Sequence, residues 1–148
     1  MNGKPIEILL VEDNPGDVRL TREAFKDGKV ANTIHVVEDG EQALAYLRRQ
    51  GKHAGAVRPD IILLDLNLPK KDGREVLREI KSDPSLKQIP VVVLTTSESQ
   101  TDINNAYELN ANCYITKPAG IQEFVTVMKS IQYLWSTLAR LPARPALE

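Results

Sequence analysis

Residues 59–73 read PDIILLDLNLPKKDG, and this stretch decides the fold of the 148-residue chain. Ile61–Leu64 form a continuous apolar run of strand length, a pattern typical of a strand covered on both faces of a sheet. Asp65 follows this run directly, and a segment with helical spacing begins after Asp72-Gly73. A buried strand that leads into a helix is the repeating unit of α/β folds with a parallel sheet.

The same alternation of strand and helix recurs along the rest of the chain. Four further runs rich in Ile, Val and Leu are Ile6–Val11, Thr33–Val37, Val91–Leu94 and Cys113–Ile115. Helical spacing follows the cap signal Asn14-Pro15, runs from about Gly40 to Gln50, and recurs in two segments towards the end of the chain. Five strands and five helices in alternation predict a doubly wound five-stranded parallel sheet in the flavodoxin-like order 2-1-3-4-5.

Two predicted helices carry unusual apolar stripes. The fourth, near Gln100 to Asn110, has a thin stripe that predicts few core contacts and makes this helix a candidate for movement. Its apolar positions are Ile103, Ala106, Tyr107 and Leu109. The stripe of the last helix continues through Trp135 to Leu138, further than a five-strand core needs. Two interpretations stay open: part of this stripe is exposed for a partner, or Trp135 packs on the domain's own sheet.

Composition limits the classes of partner. With 19 Lys and Arg against 20 Asp and Glu, the net charge of −1 offers no broad field for a polyanion, so no nucleic-acid partner is expected. A single cysteine excludes an intrachain disulfide and a cysteine cluster for zinc, and favours a reducing compartment. The apolar runs are too short for a secretory signal or a membrane span, so we expect a cytoplasmic protein that does not bind membranes.

Length favours one domain, which we expect over residues 1–140. Residues 141–148 follow the last periodic segment and contain Pro142 and Pro145, a pattern that predicts a disordered tail.

Polar side chains follow four of the apolar runs where each run ends. They are Glu12-Asp13, Asp65, Thr95-Thr96 and Lys117-Pro118. The carboxyl ends of parallel strands share one edge, and open α/β sheets bind ligands outside that edge where the strand order reverses. In the order 2-1-3-4-5 the first and third strands are neighbours, so Glu12, Asp13 and Asp65 are expected in one acidic pocket.

The chemistry of this pocket points to a metal ion and phosphoryl transfer. Three close carboxylates raise each other's pKa unless a cation lies among them, and all-oxygen ligands with positions left for water favour Mg²⁺ over Ca²⁺. Lys117 adds an amine, and Thr95 adds a hydroxyl that can hydrogen-bond an incoming oxyanion. A carboxylate nucleophile beside these groups predicts a phosphoryl-transfer site. The alternative, a buried ionic cluster without function, is disfavoured because four strand ends carry complementary chemistry.

From about Ile6 to Leu134 the chain resembles the response-regulator receiver (CheY-like) family. The motifs that carry the resemblance are ILLVEDN at residues 8–14, the PDIILLDLNLPKKDG stretch, PVVVLTTS at 90–97 and YITKP at 114–118. The resemblance implies that Asp65 is the phosphoacceptor. It also implies that Glu12 and Asp13 hold Mg²⁺ together with Asp65 and the backbone carbonyl of Asn67, with Glu12 acting through water.

The family resemblance assigns three further roles. It implies that Thr95 is the switch hydroxyl, Lys117 the phosphate-binding lysine and Tyr114 the switch aromatic. An ordinary core aromatic remains the alternative for Tyr114. The resemblance also implies a cis Lys117–Pro118 peptide, which would aim the lysine into the pocket.

The resemblance implies a stand-alone signalling protein rather than an enzyme, with self-catalysed phosphotransfer and dephosphorylation. It would accept the phosphoryl group from a histidine kinase and switch the surface formed by the fourth helix, fifth strand and fifth helix. The loop from Gly51 to Arg58 and the long last helix resemble regulators paired with phytochrome-type kinases, which often form homodimers through that surface. Kinase choice would depend on exposed first-helix residues such as Arg19, Leu20 and Arg22, while the downstream effector is not predictable.

Three other functions fit the sequence less well than this one. A haloacid-dehalogenase-like Mg²⁺-dependent phosphohydrolase needs a second Asp two residues after the nucleophile, where this chain has Asn67, whose amide cannot exchange a proton near neutral pH. A flavodoxin-like flavin binder needs a phosphate cradle, but the loop from Asp13 to Asp17 is acidic. A receiver-like scaffold that only binds would need damaged site residues, and these are intact.

Overall fold

The computed structural model describes residues 5–26 and 31–135 of the chain. Within these ranges the strands are β1 (Ile6–Val11), β2 (Asn32–Val37), β3 (Ile61–Leu64), β4 (Val91–Thr95) and β5 (Cys113–Thr116). The helices are α1 (Pro15–Lys26), α2 (Gly40–Leu47), α3 (Gly73–Ser82), α4 (Gln100–Glu108) and α5 (Ile121–Tyr133), with a short 3-10 helix at Gly51–His53. All neighbouring strands are parallel and their order is β2-β1-β3-β4-β5, which confirms the predicted fold class.

Apolar side chains fill the space on both faces of the sheet, because alternate residues of each strand point to opposite sides. Ile62 and Leu64 of β3 join a cluster that includes the inner residues of α2, α3 and α4. Ile61 and Leu63 join a second cluster with residues of α1 and α5. Every residue of β3 and β4 is buried. This burial on both faces explains why the two strands have continuous apolar sequences rather than alternating ones.

The parallel register brings the predicted site residues to one edge. Val11 of β1 pairs with Leu64 of β3, so the residues that follow them, Glu12 and Asp65, leave the sheet side by side. The backbone N–H of Asp65 donates to the carbonyl of Val11 at 3.1 Å, which fixes this alignment. The strand ends therefore meet as the sequence predicts.

The helix starts agree with the predicted cap signals, whereas two ends fall earlier. Asn14 Oδ1 accepts hydrogen bonds from the backbone N–H groups of Gly16 and Asp17, which caps α1. Helix α2 was predicted to reach Gln50 but ends at Leu47, and α4 was predicted to reach Asn110 but ends at Glu108. Residues beyond these ends have left-handed backbone, with φ of 55° at Arg49 and 70° at Asn110, which does not continue a right-handed helix.

Trp135 packs on this chain's own sheet. It contacts the cluster between the sheet and helices α1 and α5, and it lines a small cavity together with Ile6, Phe25 and Ile131. Of the two interpretations left open by the sequence, the inward one therefore holds for this residue. Leu138 and the predicted tail at 141–148 lie outside the described residues.

The loop from Gly51 to Arg58 is mostly exposed, and it is joined to α2 at two points. The Tyr46 hydroxyl donates to the carbonyl of Val57 at 3.0 Å, and His53 Nε2 lies 2.7 Å from Gln42 Oε1. Among the described helices, none combines the length and apolar character needed to cross a membrane.

Candidate functional site

An acidic pocket lies at the carboxyl ends of β1 and β3. Glu12 and Asp65 are buried, with 3% and 8% of their surface exposed, whereas Asp13 is exposed. Each of the three residues offers a carboxylate oxygen, and these oxygens all lie within 4.8 Å of one another. The three predicted acids are therefore brought together in one site.

Lys117 reaches into this pocket from the end of β5. Its Nζ lies 2.6 Å from Glu12 Oε1, 3.1 Å from Asp65 Oδ2 and 2.9 Å from Asp17 Oδ2. Asp17 was not predicted as a member of the site. It lies in the first turn of α1, and a possible signal was its place in the acidic loop that follows Asp13.

The charges in the pocket shift two pKa values. Burial raises the pKa of Glu12 to about 7, although the hydrogen bond from Lys117 opposes that shift. Burial by itself would lower the pKa of Lys117, but hydrogen bonds with Glu12 and Asp17 outweigh it and raise that pKa above its usual value. Lys117 is therefore a permanent cation that offsets only part of the negative charge around it.

The Lys117–Pro118 peptide corrects one expectation. The resemblance implies a cis bond here, yet all peptide bonds in the described ranges are trans. Lys117 nevertheless enters the pocket, because its long flexible side chain spans the distance from the end of β5 to Asp65.

Thr95 and Asn67 form the side of the pocket next to β4. Thr95 is fully buried at the end of β4, and its Oγ1 lies 3.4 Å from the side-chain amide of Asn67. The backbone N–H of Asn67 donates to Asp65 Oδ1 at 3.1 Å. Asn67 thus connects the predicted switch hydroxyl to the predicted phosphoacceptor, while the role of its carbonyl as a metal ligand stays a prediction.

Tyr114 is half-buried on β5 and contacts the loop between β4 and α4. Its hydroxyl donates to the carbonyl of Ser97 at 2.9 Å, two residues after Thr95. This hydrogen bond joins the polar end of Tyr114 to the loop that follows Thr95. Its role as a switch remains a prediction.

Helix α3 begins immediately beside the strand that carries Asp65. The N–H of Gly73 donates to the carbonyl of Leu66 at 2.9 Å. A Cβ at Gly73 would collide with the backbone of Asp65 and Leu66, so only glycine permits this close approach. Asp72 caps the helix by accepting from the N–H of Arg74 at 3.0 Å.

The first helix presents two of the three residues expected to select a kinase. Arg19 and Arg22 are exposed. Leu20 is half-buried instead and packs against the cluster between α1, α5 and the sheet, because it lies at the border of the inner face of α1.

The pocket suits a hard divalent cation. Its donors are carboxylate oxygens, without His or Cys among the clustered ligands. Both oxygens of Glu12 already accept hydrogen bonds, from Lys117 Nζ and from the N–H of Asn14, whereas Asp13 is exposed at the mouth of the pocket. The two oxygens of Asp65 likewise accept hydrogen bonds, from the N–H of Asn67 and from Lys117 Nζ, so Asp13 is the acid best placed to bind an ion directly.

A comparison with protein families agrees with this geometry. The profile of the response regulator receiver domain matches residues 8–129. The chain belongs to the response regulator receiver family. It is accordingly a receiver domain of two-component signalling, in a family whose members bind divalent metal and switch on phosphorylation.

Known receivers with high similarity cover nearly the whole chain. Response regulator Rcp1 of Synechocystis sp. is 48% identical over 139 residues, which are 94% of this chain and 95% of Rcp1. The crystal structure of the phosphorylated cyanobacterial phytochrome response regulator RcpA has a TM-score of 0.92 and 54% identity, covering 95% of this chain and 100% of that one. The Mn²⁺-bound form of Rcp1 has a TM-score of 0.92 and 47% identity, covering 94% and 100%.

Proposed function

We propose that this receiver accepts a phosphoryl group on Asp65 from a histidine kinase. The observation that carries the proposal is the position of Asp65, whose carboxylate is buried at the sheet edge with Lys117 Nζ 3.1 Å from Oδ2 and two further acids beside it. A carboxylate that only closed a strand end would need no amine and no hydroxyl in reach. The similarity to the phytochrome response regulator RcpA supports a phytochrome-type kinase as the donor.

The transfer is a substitution at phosphorus. A carboxylate oxygen of Asp65 forms a bond to the phosphorus, the bond from phosphorus to the kinase histidine breaks, and its electron pair stays on the imidazole nitrogen. Lys117 neutralises charge on the phosphoryl oxygens in the loose transition state. Later attack by water releases phosphate and regenerates the carboxylate.

The residues around Asp65 fit Mg²⁺ as the resident ion. Asp13 and Asp65 would hold it directly, Glu12 through water, and the carbonyl of Asn67 would complete the protein ligands. When bound, the ion supplies positive charge that offsets the phosphoryl oxygens. The Mn²⁺ in the structure of Rcp1 supports a divalent cation in this pocket.

The switch we propose passes from Asp65 to β5. Thr95 turns its hydroxyl towards the added oxygens, and the loop that follows Thr95 moves with it. Because the Tyr114 hydroxyl already bonds to Ser97 in that loop, Tyr114 responds to the movement. The surface formed by α4, β5 and α5 then differs between the two states.

Acetyl phosphate with Mg²⁺ tests the acceptor. The wild-type protein should take up about one phosphoryl group, and Asp65→Asn should lose more than about 95% of the labelling, since the amide is not a nucleophile. Chelation of the metal should prevent labelling of the wild-type protein. Glu79→Gln serves as the control and should label normally, because Glu79 is an acid of α3 whose ion-pair partners are Lys71 and Arg48 rather than residues of the pocket. Labelling that persists in Asp65→Asn would overturn the assignment.

We also propose that phosphorylation promotes a homodimer through the α4–β5–α5 surface. Tyr107 of α4 is 49% exposed, and all residues of the edge strand β5 are half-buried, so apolar surface is available there. Sedimentation of labelled and unlabelled protein should give a dissociation constant at least about tenfold lower for the labelled form, and Tyr107→Glu should remove the difference. Equal constants for the two forms would contradict the proposal.

A further inference from the structure

An ion pair connects helix α3 to helix α4 outside the acidic pocket. Arg74 Nε lies 2.9 Å from Asp102 Oδ1, and Arg74 Nη2 lies 2.7 Å from Asp102 Oδ2, so the guanidinium binds the carboxylate with two parallel hydrogen bonds. This two-pronged geometry is the strongest and most directional form of such a pair. Arg74 also bonds to Asp72, which caps α3, so the arginine is held on both sides.

Asp102 makes a third contact, with the loop that follows the switch hydroxyl. The hydroxyl of Ser97 donates to Asp102 Oδ2 at 2.6 Å. The backbone N–H of Ser97 is 3.5 Å from Thr95 Oγ1, and the carbonyl of Ser97 accepts from the Tyr114 hydroxyl. Ser97 therefore contacts both Thr95 and Tyr114 through its backbone, while its side chain is held by Asp102.

The arginine of this network lies at the closely packed start of α3. Arg74 is the second residue of α3, directly after Gly73, whose backbone is packed against Asp65 and Leu66. Helix α4, by contrast, has only Ala106 as a buried residue. The ion pair therefore connects a well-anchored helix to one with few apolar contacts, close to the loop that must respond to phosphorylation.

We propose that Asp102, held by Arg74, is a positioning residue that fixes Ser97 and thereby presets Thr95 for phosphoryl transfer. The inference rests on the proposed function of Asp65. The hydroxyl of Ser97 donates to Asp102, whereas Thr95 Oγ1 accepts from the backbone N–H of Ser97 and from the side-chain amide of Asn67, so the Thr95 O–H can donate to an incoming phosphoryl oxygen. When the ion pair is broken, Ser97 and the first turn of α4 lose their common support, and Thr95 is no longer held in one place.

The first experiment measures labelling by acetyl phosphate in Asp102→Asn and Arg74→Gln. Each should slow phosphorylation about fivefold, because small displacements of a positioned group cost up to about a hundredfold in rate. Arg74→Gln is needed because it breaks the pair without changing the charge in the first turn of α4. Arg74→Lys keeps the charge but not the two-pronged geometry, and should restore part of the rate.

Glu79→Gln is the matched control. It breaks the ion pair with Lys71 Nζ, whose distance of 2.6 Å and partial exposure are similar to those of the Arg74–Asp102 pair. Both pairs involve α3, but this one does not reach α4. Glu79→Gln should label at the wild-type rate, and slowing equal to that of Asp102→Asn would show a general effect of lost charge.

A double-mutant cycle with Ser97→Ala separates positioning from a general structural role. If Asp102 acts through Ser97, then Asp102→Asn should change the rate less than about twofold in the Ser97→Ala background. A full fivefold loss in that background would overturn the inference.

Amide exchange provides a readout that does not depend on phosphorylation. In unlabelled Asp102→Asn and Arg74→Gln, the amides of residues 97–103 should exchange about tenfold faster than in wild type, while those of α3 should be unchanged. Unchanged exchange at residues 97–103 would overturn the inference even if the wild-type protein labels normally. Failure of the wild-type protein to label would instead reject the proposed function, and the exchange result would still decide whether the ion pair positions the loop.

Discussion

Helices α3 and α4 lie on the same face of the sheet and begin with similar caps, but they are held by different forces. Asp72 caps α3 and Ser99 caps α4. Helix α3 buries Val76, Leu77 and Ile80 completely, whereas the buried residue of α4 is Ala106. One helix is fixed by apolar contact, and the other depends more on polar contacts at its first turn.

This difference matches the roles that we propose for the two helices. Apolar burial is not directional but is costly to reverse, so α3 can hold the segment that follows Asp65 in place. Hydrogen bonds and ion pairs contribute less net free energy and depend on geometry, so α4 can change position at moderate cost. A receiver needs both properties within a short distance of the phosphoacceptor.

The largest expected effect is that of removing an apolar anchor from α3. Leu77→Ala deletes a fully buried side chain and should lower the free energy of unfolding by about 2–5 kcal/mol. Ile103→Ala on α4 is the matched variant, and because Ile103 is only half-buried it should cost about 1 kcal/mol or less. Urea unfolding of the two variants measures both values. Equal losses would remove the contrast between the helices.

The elements that the sequence predicted well are those whose environment is nearly uniform along their length. Strands β3 and β4 are buried at every residue, so an uninterrupted apolar run identifies them and gives their ends to within one residue.

The acidic pocket was predictable for a related reason. Parallel topology places all carboxyl ends on one edge, so Glu12 and Asp65 had to meet once the strand order was right.

Contacts between helices could not be predicted in the same way. Asp17, Arg74 and Asp102 each lie on a helix surface, where charged residues are common and where no spacing in the sequence identifies a partner on another helix. Trp135 shows a second limit, because helical periodicity indicates which face a residue lies on but not how far the core extends beneath it. These details depend on how the helices pack rather than on local pattern.

The smallest expected effect is the pH dependence of the stability that the Arg74–Asp102 ion pair contributes. Hydrogen bonds from Arg74 and Ser97 lower the pKa of Asp102 from 3.8 to about 2. A carboxyl group whose pKa is lower in the folded than in the unfolded state stabilises the fold above the unfolded value, and this contribution is lost as the pH falls through the folded value. The contribution should therefore be constant from about pH 7 to pH 5 and decline below about pH 4. Because the pair is partly exposed, it should be worth at most about 1 kcal/mol.

Urea unfolding of wild type and Asp102→Asn at several pH values measures this contribution as a difference, so titration of other groups cancels to first order. The stability advantage of the wild-type protein should shrink from pH 5 to pH 3, and high salt should reduce it at every pH. Leu77→Ala should show no such dependence, since the side chain that it removes does not titrate. A wild-type advantage that is unchanged at pH 3 would mean that Asp102 is not held by charge, and α4 would then need another explanation for its attachment to α3.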